Sequence, residues 1–255
     1  MSSSDLIVMI LLFFATSVVG VVTGSNSLVT VPVMFQFGID EKVAVATNMF
    51  GLTFMAIGGT IPFMRQGSIE FRKLTPLVVL TIAGSAIGAM LVGLITNQSI
   101  KAIVSVAMIV MVVFMFVRPH GATEPSGVTR PAVARPLSMI VYLLTFLLAI
   151  YGGLFSGGYV TVLTATLVTF AAMSFTQSVA ATKFINVFSS GIATLVFMWE
   201  GLVDYRLGIF LAVSMFAGAF VGAHYAAKMN EIWLRRIFLA TVFILAIKTI
   251  LDFAR

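Results

Sequence analysis

Long stretches without a charged side chain are the feature that most constrains this chain. Seven stretches lack Asp, Glu, Lys and Arg, and five of them exceed the roughly 20 apolar residues that one helical bilayer crossing needs. They are residues 6–39, 43–64, 74–100, 102–117, 137–182, 184–199 and 207–227. These runs are continuous, whereas the strands of a membrane barrel alternate apolar and polar residues. The pattern predicts an all-α integral membrane protein.

About ten membrane segments follow from these runs. We place them at 6–23, 26–37, 42–64, 74–96, 100–117, 137–155, 159–170, 177–199, 207–227 and 232–251. One connection is long, since RPHGATEPSGVTRPAVARP has the prolines, glycines and charges of a solvated linker. The sequence therefore predicts a first membrane unit over 1–117, a cytoplasmic linker over 118–136 and a second membrane unit over 137–255.

The two membrane units resemble one another. Five short motifs recur in the same order. The pairs are GVVTG (20–24) with GLFSG (153–157), VAVAT (43–47) with SVAAT (178–182), GSIEF (67–71) with GLVDY (201–205), GSAIGA (84–89) with GAFVGA (218–223), and IKAI (100–103) with LRRI (234–237). One pair could arise by chance, whereas five in order indicate a duplication. We therefore expect two five-segment repeats.

The charges of equivalent loops indicate how the repeats are oriented. The loop at 65–73 has three basic residues, and its counterpart at 200–206 has one beside two acidic residues. The next pair has the opposite bias, because 97–101 has one lysine and 228–236 has three basic residues. Parallel repeats should share such a bias, while inverted repeats should exchange it. We expect inverted repeats, with 65–73, 118–136 and 228–236 in the cytoplasm and both termini outside.

Two breaks interrupt the apolar pattern at equivalent places, TGSNS at 23–27 and FSGGY at 155–159. Each precedes a short segment of 12 residues, 26–37 or 159–170. As a helix, such a segment reaches about 18 Å across a hydrocarbon core of about 30 Å, so a half-helix of a re-entrant hairpin is one interpretation of each, beside a full span. Half-helices begin with a positive dipole end and free N–H groups, which suit an anion. The breaks supply the candidate binding residues Gly24, Ser25, Asn26, Ser27, Ser156, Gly157 and Gly158.

Close helix packing is the alternative explanation for glycines in the breaks. The small-xxx-small spacing of Gly84/Gly88 and Gly218/Gly222 is typical of such packing. We favour a binding function for the breaks because a short segment follows each of them.

Lys183, in VAATKFINVFSS, is the one ionisable residue far from a predicted loop. An uncompensated charge at membrane depth costs about 2.5–3.5 kcal/mol, so intramembrane charges usually serve function; the alternative is that the side chain snorkels to the headgroups. Asn186 and Ser190 follow on the same helical face. The equivalent of Lys183 in the first repeat is Asn48. We predict that Lys183, Asn186 and Asn48 converge near the midplane, between the breaks.

Several chemistries are excluded by what the sequence lacks. There is no cysteine, no metal-ligand cluster and no Walker loop. The formal net charge is +6, and the basic residues lie in loops beside apolar runs. Basic residues in such loops set membrane orientation, so we expect no nucleic-acid partner. We predict no metal and no cofactor. Membrane lipid is an expected partner, and the sequence leaves a homo-oligomer open.

The doubled pattern GxxxG-SNSLVTVPVMFQFGID-EKVAVATNMF, followed by GSIEF and GSAIGAML, resembles the TauE/SafE sulfite exporter family, also called the toluene sulfonate uptake permeases. The resemblance covers nearly the whole chain. It implies secondary transport of small sulfur-containing anions, such as sulfite or sulfoacetate, with export across a bacterial inner membrane. The inverted halves would rock around a central anion site.

The family's motifs match particular residues. Its glycine-rich break matches Gly20–Gly24 and Gly153–Gly157. Its Ala-x-x-Thr helix start matches Ala44–Thr47 and, with Val179 in place of alanine, Val179–Thr182. The resemblance therefore adds Thr47 and Thr182 to the candidate substrate-binding residues.

Other functions remain as alternatives. An anion channel would use the same site without alternating access. An intramembrane serine protease would use Ser156 and His224, although Gly153 and Ser156 are separated by two residues, where rhomboid-like enzymes have one. The repeat also aligns Ser156 with Thr23, which a helix break explains and a unique nucleophile does not. A scaffold would need no central polar site. We predict a transporter and not an enzyme.

Overall fold

The computed structural model describes residues 3–24, 26–65, 71–117 and 138–225. These residues form nine α-helices and no strand, which confirms the all-α prediction. The helices are α1 (Ser3–Thr23), α2 (Ser27–Gln36), α3 (Glu41–Arg65), α4 (Phe71–Leu94), α5 (Asn97–Val117), α6 (Met139–Leu154), α7 (Tyr159–Phe170), α8 (Phe175–Trp199) and α9 (Tyr205–Tyr225). Ser25, the linker at 118–136 and the tenth predicted segment at 232–251 lie outside the described residues.

Five of the described helices, α1, α3, α4, α8 and α9, are long and apolar enough to cross a membrane. The protein is therefore a multi-pass membrane protein. The short helices predicted after the breaks are α2 and α7. α7 has the predicted 12 residues, whereas α2 has 10, because the chain turns through Gly38 at a φ of +73°. They reach about 15 and 18 Å, roughly half of a hydrocarbon core.

α1 packs along α9 with the two backbones in contact. Gly218 lies on the carbonyl of Phe14, so close that a Cβ atom would collide with it. One turn further on, Gly222 lies in the same way on the carbonyl of Val18. Both pairs are separated by 204 positions in the chain (218 − 14 and 222 − 18), so the two helices run parallel.

α4 and α6 pack in the same manner. Gly84 lies against the carbonyl of Phe146, 2.8 Å from where a Cβ atom would stand, and Gly88 lies against the carbonyl of Ile150. Both pairs are separated by 62 positions (146 − 84 and 150 − 88), so these helices are also parallel. The predicted packing role of the two small-xxx-small motifs is confirmed.

Several helix ends meet at one face of the bundle. Lys42, at the start of α3, donates to the carbonyl of Gly93, at the end of α4, at 3.0 Å. Glu200, which ends α8, lies against the same Gly93. The N–H of Asp204, just before α9, donates to Thr47 in α3 at 3.0 Å. α3 and α9 therefore begin where α4 and α8 end, so the first two helices run opposite to the other two.

The chain reverses direction after α1, inside the bundle. Asn26 donates to Sδ of Met55 at 3.4 Å. One turn further along the chain, Thr30 donates to Oδ1 of Asn48 at 2.6 Å. Residue numbers rise along α2 while those of its α3 partners fall, so α2 runs antiparallel to α3. Since α1 and α3 are both parallel to α9, the first break is a turn between a long helix and a short returning one.

A capping box fixes the start of α8. Ser174 Oγ accepts from the N–H of Gln177 at 3.2 Å, and Gln177 Oε1 accepts from the N–H of Ser174 at 3.1 Å. We expect Ser174→Ala to lower the free energy of unfolding by about 1 kcal/mol, measured by thermal unfolding in detergent. Ser138 precedes α6 without a side-chain cap, so Ser138→Ala is the matched control. Equal losses in both variants would contradict a role for the capping box.

Candidate functional site

The two breaks meet inside the bundle. The hydroxyls of Ser27 and Ser156, both buried, hydrogen bond across a distance of 2.7 Å. Gly24 has a φ of +79° and lies against Val160, 2.8 Å from where a Cβ atom would stand. A larger residue at Gly24 would therefore be strained and would push the breaks apart. Gly158, with a φ of +83°, forms the N-cap of α7.

A small cavity lies beside this contact. Its volume is about 20 Å³, room for about one water molecule. It is lined by Gly20, Gly24, Asn26, Ser27, Leu52, Met55, Ala56, Ser156, Val160, Lys183 and Asn186. Six of the site residues predicted from the sequence therefore border one cavity, with contributions from both membrane units.

Lys183 lies inside the bundle and not at the membrane surface. It is 4% exposed, and its Nζ donates to the carbonyl of Gly20 at 3.5 Å. No carboxylate among the described residues pairs with it. An ammonium group has three N–H donors, so two remain after the contact with Gly20. The alternative that Lys183 snorkels to the headgroups is wrong.

Two amide side chains beside the cavity each have an unpaired oxygen. Asn26 donates through Nδ2 to Ser17 at 3.3 Å and to Met55 at 3.4 Å, while its Oδ1 is buried without a hydrogen-bond partner. Asn186 Oδ1 is also buried without a partner. Unpaired buried acceptors are rare in folded proteins, so each one calls for a partner such as a bound water or ligand. Here both belong to residues that border the same cavity as the ammonium group.

Asn48 holds the first break in place and does not border the cavity. Its Nδ2 donates to Ser27 Oγ at 2.9 Å, and its Oδ1 accepts from Thr30 Oγ1 at 2.6 Å. Hydrogen bonds therefore run from Asn48 through Ser27 to Ser156. These hydrogen bonds do not reach Lys183, whose contact is with Gly20, so the convergence of Asn48 with Lys183 stays a prediction.

The other predicted site residues do not border the cavity; they are Thr47, Thr182, Gly157 and Gly158. Thr47 accepts from the N–H of Asp204, and Thr182 donates to the carbonyl of Ser178 at 2.6 Å. Ser25 lies outside the described residues. Direct binding by these residues stays a prediction.

Some contributors to the site carry no sequence signal of their own. Thr30 positions Asn48, while Ser17 and Met55 position Asn26. Hydroxyl and methionine side chains are common in membrane helices, so nothing separates these from ordinary packing. Gly20 belongs to the GVVTG motif, which predicted a helix break and not a carbonyl acceptor for lysine.

The geometry does not favour the protease alternative. Ser156 Oγ pairs with Ser27 Oγ, and His224 lies in the last turn of α9 with its ring against Tyr225. A serine nucleophile needs a base within about 3 Å, and no described imidazole takes that place. In the described part of the chain, no cluster of three or more His, Asp or Glu side chains could hold a metal ion.

Membrane helices that break around a buried polar cavity are typical of membrane transporters. The family model for the sulfite exporter TauE/SafE matches residues 8–249, and the chain belongs to this family. The protein is therefore a membrane transporter, and membership of this family argues against an enzyme.

Curated relatives match along nearly the whole chain. The probable membrane transporter protein ORF9 of Sinorhizobium sp is 26% identical over 247 residues, covering 94% of this chain and 92% of its own. The probable membrane transporter protein of Haemophilus influenzae is 23% identical, covering 85% and 81%. YfcA of Escherichia coli, also a probable membrane transporter, is 22% identical, covering 94% and 89%. No solved structure gives a significant match. The family resemblance found in the sequence is confirmed.

Proposed function

We propose that the protein is a secondary transporter that exports a small sulfur-containing anion, sulfite or an organosulfonate such as sulfoacetate, across the bacterial inner membrane. The observation that carries this proposal is Lys183, a buried ammonium with one carbonyl acceptor and no described carboxylate partner. A buried cation without a counter-charge is costly, and an oxyanion would supply both charge and acceptor oxygens. The description of the matching family, sulfite exporters, supports a sulfur anion.

We infer that the ten predicted segments form two inverted five-segment repeats. α3 and α8 are equivalent in the repeat pattern, as are α4 and α9, and the contacts at the shared face give each pair opposite directions. In each repeat the short helix hydrogen bonds to the long helix that follows it: Thr30 of α2 donates to Asn48 of α3, and Thr164 of α7 donates to Thr182 of α8 at 3.1 Å. Equivalent helices of opposite direction are expected from an inverted duplication. The basic residues of 65–73, 118–136 and 228–236 support a cytoplasmic placement of these loops.

In this mechanism the anion binds between the breaks. Lys183 would donate to one anionic oxygen, and the hydroxyl and amide groups of the cavity would contact the others. A cavity of about 20 Å³ has room for about one water molecule, so an oxyanion of four or more heavy atoms needs a wider site. The contact of Ser27 with Ser156 joins the two units beside the cavity. We propose that it separates when the halves rock to admit or release the anion.

Flux measurements in proteoliposomes test the proposal. The reconstituted protein is expected to exchange labelled external sulfite for internal sulfite or sulfoacetate, with saturation and counterflow. It should not transport choline, a cation, or mannitol, a neutral solute. A channel would pass the anion without counterflow. Preference for a neutral or cationic solute, or no anion flux by folded protein, would contradict an anion transporter.

A further inference from the structure

The cavity presents hydrogen-bond acceptors as well as a cation. Among its lining residues in the described part of the chain, Lys183 is the one ionisable side chain. Asn26 and Asn186 are only 3% and 6% exposed, and each has an unpaired Oδ1. An oxyanion without a hydrogen-bond donor supplies acceptor oxygens alone. It would satisfy the ammonium group of Lys183 but would leave both amide oxygens unpaired.

The orientation of the Asn26 amide is fixed by its partners. Its Nδ2 lies 3.4 Å from Met55 Sδ, and a thioether sulfur accepts hydrogen bonds but cannot donate them. Turning the amide over would place oxygen against that sulfur. The Oδ1 atom instead lies beside Gly20, 3.2 Å from where a Cβ atom would stand, and the Gly20 carbonyl accepts from Lys183. The unpaired oxygen and the ammonium therefore flank the same residue.

The charge of the cavity limits the charge of its ligand. One ammonium neutralises one negative charge, and none of the described lining residues supplies a second cation. A doubly charged anion would leave net negative charge buried, which is strongly unfavourable.

We propose that the cavity selects a small, singly charged oxyanion that also has a hydrogen-bond donor. This inference rests on the proposed function and narrows its substrate: hydrogensulfite fits, whereas sulfoacetate, which carries two negative charges at neutral pH, does not. The anionic oxygens accept from Lys183 Nζ, while a hydroxyl or other donor of the same ligand satisfies Oδ1 of Asn186 or Asn26. Monoanions without a donor bind more weakly, and dianions bind least.

Three salts separate the effect of charge from that of the donor. Isethionate and ethanesulfonate are both monoanions and differ by one hydroxyl group, whereas sulfate is a dianion. Titration calorimetry on the purified full chain in detergent should give a Kd for isethionate about tenfold or more below that for ethanesulfonate. Sulfate should give no measurable heat at the same concentrations. In Asn186→Leu the ratio of the two sulfonate affinities should fall toward one.

The outcomes distinguish this inference from the proposed function. If sulfite and ethanesulfonate bind and isethionate gains nothing, or if sulfate binds more tightly than either sulfonate, the selection rule is wrong while anion transport stands. If none of these anions binds to folded protein, the proposed function fails and this inference fails with it. The comparison of ligands uses the wild-type chain, so it does not depend on whether Asn186→Leu folds.

Discussion

Replacing Lys183 by methionine is expected to reduce anion flux on the order of 100-fold, because removing one partner of a buried charge pair typically costs about 2–5 kcal/mol of binding. The same substitution should leave the melting temperature unchanged or raise it, because it removes a buried cation that has one carbonyl acceptor and no described carboxylate. Flux and stability should therefore move in opposite directions. Proteoliposome uptake of sulfite and thermal unfolding in detergent measure the two quantities.

Lys42→Met is the matched control for this prediction. Lys42 lies at the bundle face and donates to the carbonyl of Gly93, away from the cavity-lining residues. Its loss should leave sulfite flux within about twofold, since a surface interaction contributes at most about 1 kcal/mol. If Lys183→Met transported sulfite normally, Lys183 would not hold the anion and the proposed central anion site would be wrong.

A methyl group at Gly88 should destabilise the fold by about 3 kcal/mol, the upper part of the usual range for overpacking. The new Cβ atom would collide with the carbonyl of Ile150 and would lie 2.8 Å from the N atom of Leu154. Both are backbone atoms of α6, so relief requires the two helices to move apart. Thermal unfolding of purified Gly88→Ala in detergent measures the loss.

Gly191→Ala is the control for that substitution. Gly191 is also helical, but the nearest atom to its new Cβ would be Thr53 Cγ2 at 4.0 Å, an ordinary contact. Alanine is favoured over glycine in a helix by about 1 kcal/mol, so this variant should be as stable as the wild type or more so. Similar melting temperatures for the two variants would show that the α4–α6 contact does not limit stability.

The positions of the helices could be predicted because charge-free runs of sufficient length have one stable form in a bilayer. α3 was expected at 42–64 and occupies Glu41–Arg65, and α8 was expected at 177–199 and occupies Phe175–Trp199. The direction of α2 could not be predicted in this way. Loop charges report only on which side a loop lies, whereas the return of α2 depends on side-chain contacts with α3.

The positive charge of the cavity could be predicted from the sequence, whereas the group that accepts a hydrogen bond from Lys183 could not. A lysine within an apolar run must find an interior partner or reach the surface, which pointed to Lys183. Its partner is a backbone carbonyl of Gly20, and side-chain patterns do not report backbone groups. Repeat alignment likewise pointed to Asn48, but both ends of that amide are used by Ser27 and Thr30.

The pairing of α1 with α9 also has a consequence for biogenesis. Ser214 donates to the carbonyl of Ile10 at 2.7 Å, across 204 positions of the chain. Ribosomes add roughly 5–20 residues per second, so α1 stays in the membrane for roughly 10–40 seconds before its partner has been synthesised. Until then the surface of α1 that contacts Gly218 and Gly222 of α9 faces lipid or the insertion machinery. α1 is therefore synthesised long before the helix that packs against it, and a truncated chain that lacks α9 would leave this surface of α1 without its protein contact.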